Sequence, residues 1–161
     1  MDSVTSSNLP IYDSSVGWAL GCSRQGASHL VKSTPSQDAY ATWAGTVSGV
    51  PCLMAAVADG HGDQKHDLSQ EGAALAVKVA IDTLYAFYLN FAVKRSTNSE
   101  GSLTSLKNAF RTDFPRKVVQ QWKEAVFKNA EEKGIGLSIE TIRNQTVIRY
   151  GTTLLLSLIT D

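Results

Sequence analysis

Residues 51 to 59, Pro-Cys-Leu-Met-Ala-Ala-Val-Ala-Asp, are apolar on both alternations until the closing acid. A strand tolerates apolar side chains on both faces only where other layers cover both, so this segment predicts a central strand in a layered fold. The run then breaks into Asp59-Gly60-His61-Gly62-Asp63, with His66 and Asp67 just beyond. Charged and flexible residues at the mouth of a buried strand are the feature any reading of the chain must explain.

The flanking sequence supplies the rest of the sheet. "VGWALGCS" alternates Val16, Trp18, Leu20 and Cys22 with small residues and reads as a strand with one packed face. "QGASHLVKSTPSQDAY" reads as a long loop entering a second strand, "DAYATWAG", and "TVSGV" supplies the turn into the central strand. From Leu68 to Phe91 the pattern becomes helical. Glu71, Lys78 and Asp82 form a narrow polar stripe, so this helix is expected to be buried over most of its circumference, with Tyr85, Phe87, Tyr88 and Phe91 in the core. After a loop at "KRSTNSEGS", a second helical region is expected to be interrupted at Pro115. It then continues through Val118, Trp122, Val126 and Ala130 and stops at Gly134. Residues 135 to 150 carry no clear period, and "GTTLLLSLIT" reads as a closing strand. Early strands spaced too closely for helical crossovers pair antiparallel, which makes the fold class α+β with long helices on one face.

Composition narrows the function classes. The chain of 161 residues is about one domain, 43% apolar, with fifteen basic and fifteen acidic side chains. That balance gives nucleic-acid binding no support from net charge. No apolar run reads as membrane-spanning, and the first ten residues lack a signal-peptide pattern. Cys22 and Cys52 read as two reduced core thiols, and a cytoplasmic location is expected.

On residue chemistry alone the acidic cluster has two readings. Carboxylates at a strand end suit hard cations such as Mg²⁺ or Mn²⁺, and Gly60 and Gly62 let a main-chain carbonyl face the ion. The alternative is a solvated polar turn that caps the following helix.

A resemblance separates them. "VADGHGD" resembles the Asp-Gly-His-Gly signature of the type 2C, metal-dependent serine/threonine protein phosphatases (the PPM type). "SQDAY" resembles the family's acidic pair, with Gln37 where many members have Glu. "GASHLVKSTPSQDAY" is similar to the corresponding loop of a bacterial-type subgroup. "YGTTLLLSLIT" resembles the Gly-(Ser/Thr)-Thr strand that follows the two long helices. The resemblance implies two Mg²⁺ or Mn²⁺ ions, with Asp59 bridging them, the Gly60 carbonyl on one, and Asp38 nearby. It implies His61 as general acid and a phosphoprotein as substrate.

Many relatives grip the phosphate with an Arg four residues before the acidic pair, where this chain has Ser33. His29, Arg24 and Lys32 are the candidate replacements. The resemblance implies a four-layer α-β-β-α sandwich of which residues 16 to 161 are the N-terminal portion, after a loose leader over residues 1 to 15. The later metal-binding acids are expected beyond Asp161, so residues 1 to 161 alone are expected to be inactive, and self-association is expected through the apolar closing strand. The alternative function is a non-catalytic pseudophosphatase or binding module with an incomplete metal site.

Overall fold

The computed structural model describes residues 11–25, 35–97, 103–135 and 139–160. The elements run β1 (Ile11–Ser14), β2 (Gly17–Leu20), β3 (Asp38–Val47), β4 (Val50–Asp59), a 3-10 turn (Gln64–His66), α1 (Ser69–Thr97), α2 (Leu103–Glu132), α3 (Glu140–Arg149) and β5 (Leu155–Thr160). β3, β4 and β5 form an antiparallel sheet in the order β3-β4-β5, and β1 and β2 form a separate hairpin. The fold is α+β, as the pattern of elements requires.

The sheet has two unlike faces. Trp43, Cys52, Met54 and Ala56 point to one side and join Ala73, Ala76, Val77, Ala80 and Leu84 of α1 in the main core. On the other side, Gly17 of the β1–β2 hairpin lies over Leu53, and Gly21 lies so close to the Tyr40 ring that a Cβ there would overlap it. The central strand is therefore covered on both faces near Leu53, as its apolar alternation demands. Toward its far end Val57 is exposed, as is Leu155 opposite it on β5, and Ile159, opposite Leu53, is exposed at the edge.

β3 and β4 are joined through Ser48 (φ 52°) and Gly49 (φ 80°), with Val47 opposite Val50. Two consecutive positive φ values make a two-residue turn whose twist matches the strands it joins. β5 pairs along β4 from Leu155↔Val57 to Cys52↔Thr160, so one of its edges is satisfied.

α1 packs against β3 and β4 on one side and against α2 on another. By length and composition Ser69–Lys94 would pass as a membrane span, contrary to the sequence expectation. Its apolar circumference is instead the mark of a core helix, since Ala73, Ala80 and Leu84 are fully buried against protein. α2 runs unbroken through Pro115. Losing one N–H weakens a helix locally, but the neighbouring turns are held by packing. Phe110 and Phe114 stack at 4.6 Å, and both meet Phe87 of α1 edge-on. The helix ends as expected at Gly134 (φ 77°), where the N–H groups of Gly134 and Ile135 bond the carbonyls of Glu131 and Ala130. This is the paired arrangement of a left-handed glycine cap.

Three further expectations change. The leader gives way at Ile11, because Ile11–Ser14 pairs with Gly17–Leu20 across a short turn. Cys22 is exposed just past the end of β2, and only Cys52 is a core thiol. The unreadable stretch before residue 150 contains α3, a polar helix with Thr146 as its buried residue. It is fastened from outside its own sequence: Arg143 lies over the Phe127 ring, and buried Tyr150 donates to Asn129 Oδ1.

Candidate active site

Antiparallel register places Asp38, the first residue of β3, opposite Asp59, the last of β4. Register partners share a face, so the two carboxylates project side by side from the end of the sheet. Neither has a hydrogen-bond or ion-pair partner among the described residues. Gln37, Asp38, Asp59, Gly60, His61, Gly62 and Asp63 together line one open polar depression. An adjoining groove brings Arg24 alongside Asp38, Asp59 and Thr153. His29 and Lys32 lie outside the described residues.

Gly60 is a packing requirement. Its N–H donates to the Gln37 carbonyl, and a Cβ would sit 2.9 Å from the Ser69 carbonyl oxygen and 3.0 Å from that of Gln37. Any larger residue would force the strand end away from the start of α1.

The loop beyond Gly60 is exposed and contains no buried side chain from His61 to Asp67. Polar contacts hold it instead. Thr153 N–H (2.8 Å), Thr152 Oγ1 (2.9 Å) and Thr153 Oγ1 (3.2 Å) all donate to the Asp59 carbonyl. His61 N–H donates to Gly151 O, and the His61 carbonyl accepts from the buried Ser69 hydroxyl. Arg149 donates two bonds, 2.8 and 2.7 Å, to the Asp67 carboxylate, and Leu68 N–H bonds Arg149 O. Hydrogen bonds from Arg149 hold the Asp67 carboxyl below its ordinary range, and the hydrogen bond from His66 does the same for Asp63.

This clamp depends on one close crossing. A Cβ on Gly72 would collide with the Tyr150 carbonyl, while the Gly72 carbonyl accepts a 3.0 Å bond from Trp122 Nε1. α1, α2 and the end of α3 meet there, which delivers Gly151–Thr153 to the mouth of β4.

Residues 25–161 match the family model described as protein phosphatase 2C. The chain belongs to that family. No curated protein and no solved structure gives a significant match. For a protein phosphatase 2C chain, the juxtaposed acids, the glycine turn and His61 are the stretches that carried the resemblance. Sequence reasoning missed the parts that hold them. The Gly-Thr-Thr run, which carried part of the resemblance, is also a hydrogen-bond clamp on the Asp59 carbonyl. Asp63 and Asp67 are exposed, and each has a partner: Asp63 pairs with His66 and Asp67 with Arg149. A pair such as Asp67 and Arg149, 82 residues apart, leaves no local signal.

The family is metal-dependent, and the residues present suit a hard cation: two unpaired carboxylates stand side by side where mutual repulsion favours a positive charge between them. Among the described residues, however, no third His, Cys, Asp or Glu completes a metal-ligating group with them.

Proposed function

We propose that this site serves the metal-dependent hydrolysis of phosphoserine and phosphothreonine in proteins. Asp38, Asp59 and the Gly60 carbonyl would hold Mg²⁺ or Mn²⁺, two ions where further carboxylates are supplied. The observation that supports this reading is the pairing of two partnerless carboxylates with His61 around one depression. A divalent cation, when bound, neutralises phosphate charge and makes an attacking water acidic near neutral pH.

The chain's own residues do the rest. Asp38 and Asp59 would hold the cation at the depression, where it faces the phosphate end of the substrate. His61 delivers a proton to the departing serine or threonine oxygen. Arg24, exposed in the adjoining groove, binds the phosphate oxygens. The clamp on the Asp59 carbonyl keeps the strand end from shifting during the reaction.

A second reading, a pseudophosphatase or binding module, has its own support in the absence of a third acidic ligand among the described residues. Calorimetric titration with Mn²⁺ and turnover of a phosphothreonine peptide separate the two. On the first reading Asp59→Asn lowers Mn²⁺ affinity by about tenfold or more, roughly 1.4 kcal/mol, and abolishes turnover. His61→Gln then slows alkyl phosphates by about 10²-fold or more and aryl phosphates much less, because a phenolate departs without protonation. A wild-type chain without Mn²⁺-dependent turnover would leave the binding-module reading, whereas turnover unchanged in Asp59→Asn would remove Asp59 from the site.

A further inference from the structure

His66 is the side chain of the site region whose placement the proposed chemistry does not use. Its Nδ1 lies 2.6 Å from Asp63 Oδ1, and its side chain is half-buried, at 18% exposure. Its ring stands perpendicular to that of His61, with centroids 4.6 Å apart and an interplanar angle of 88°. On a further side it lies against Gly151, where a Cβ would come within 2.6 Å of its Cδ2 and 3.1 Å of its Nε2. The ring is thus held by a carboxylate at one nitrogen and lies against the Gly151 backbone, and it packs edge-on against His61.

His61 itself has no comparable support. Its backbone is tied on both sides, through N–H to Gly151 O and through C=O from Ser69 Oγ, but its side chain is exposed. No side-chain hydrogen bond to its imidazole is found among the described residues. An exposed imidazole on a glycine-flanked turn samples several χ1 and χ2 states, of which few point a nitrogen into the Asp38–Asp59 depression. A perpendicular aromatic neighbour at this separation is an arrangement that ring quadrupoles favour.

We propose that His66, braced by Asp63 and by Gly151, is a positioning residue that holds the His61 ring toward the Asp38–Asp59 depression. This rests on the phosphatase reading only for its catalytic meaning. The strut itself is a statement about His61's orientation. It also gives Gly151 a specific reason to be glycine: a side chain there would evict the His66 ring, independently of how β5 pairs.

The test is NMR of the histidine rings in the full chain, with His61 assigned by its loss in His61→Gln. In the wild type the His61 ring signals should carry a ring-current shift, and its Cε1–H order parameter should approach the ~0.85 of rigid structure. In His66→Ala both signatures are lost and the order parameter falls below about 0.6. His66→Phe keeps a ring without the Asp63 bond and should give an intermediate order parameter, as should Asp63→Asn. Gly151→Ala should reproduce His66→Ala without touching either histidine. Arg149→Ala, which cuts the Asp67 tie elsewhere in the same loop, should lower stability yet leave the His61 signature in place. A His61 ring equally ordered in wild type and His66→Ala overturns the proposal, as does an Arg149→Ala variant that mobilises His61 as strongly as His66→Ala. Turnover of phosphothreonine peptide, measured on the same wild-type sample, judges the phosphatase reading separately, since the ring signatures do not depend on it.

Discussion

The helix pair and the loop from His61 to Asp67 are both well defined, but by opposite means. Where α1 meets α2 and the sheet, order comes from apolar contact: Met54, Leu84 and Val126 are fully buried, and Phe87, Phe110 and Phe114 interlock as rings. The loop buries no side chain between His61 and Asp67, and its geometry comes from hydrogen bonds and ion pairs reaching it from Ser69 and from residues 149 to 153. Apolar packing is strong, non-directional and nearly indifferent to pH. Polar anchoring is weaker per contact but directional, which is what a site needs to aim a carboxylate or an imidazole. The core supplies stability and the clamp supplies aim.

The largest effect should come from the core. Leu84→Ala removes a fully buried side chain and should cost about 2–5 kcal/mol in denaturant unfolding. If the two regions are held as separately as described, its destabilisation should stay constant between pH 3 and pH 8. A strong pH dependence would break the comparison.

A smaller effect is expected at the clamp. Thr152→Val keeps the shape of the side chain and removes the 2.9 Å bond to the Asp59 carbonyl, for about 0.5–1.5 kcal/mol of stability. Because the bond bears directly on the strand end, Mn²⁺ affinity should fall with it, whereas Leu84→Ala should leave affinity per folded molecule unchanged. Calorimetry on both variants sharpens or removes the distinction between stability and aim.

The smallest effect is the most diagnostic. Arg149→Ala cuts a largely exposed bidentate pair, worth about 0.2–1 kcal/mol near neutral pH. Asp67 has a folded pKa below its ordinary 3.8, because Arg149 hydrogen-bonds its ionised form. A depressed carboxyl pKa contributes stability that is fully present above the ordinary value and disappears as pH falls through the lower, folded one. The gap between wild type and Arg149→Ala should therefore be constant above about pH 5 and close at lower pH. A gap that persists below the folded pKa would mean that Arg149 acts through packing instead.

Local sequence determined the elements whose cause is local. The β3–β4 hairpin was legible because Ser48-Gly49 sits between strand-like runs, and the end of α2 because Gly134 takes a positive φ at little cost. The narrowness of its polar stripe located the buried face of α1 but overstated its width, since Tyr85 and Val93 are exposed. Pro115 misled, since its effect depends on whether neighbouring turns have packing to hold them, and Phe110 and Phe114 supply it from residues away. α3 was invisible because its own face is nearly all polar and its anchors are Tyr150 and Asn129. The site divides the same way. Asp59, Gly60 and His61 form one contiguous stretch, with chemistry plain from residue type and a motif that the family resemblance recognised. The pairing of Asp38 with Asp59 follows from the same two-residue turn, which fixes the hairpin register. Only tertiary structure decided that Thr152 and Thr153 grip the Asp59 carbonyl and that His66 reaches His61. Long-range hydrogen bonds and ring contacts join residues by their place in space, and a chain written in one dimension carries no period or spacing from which such pairings follow.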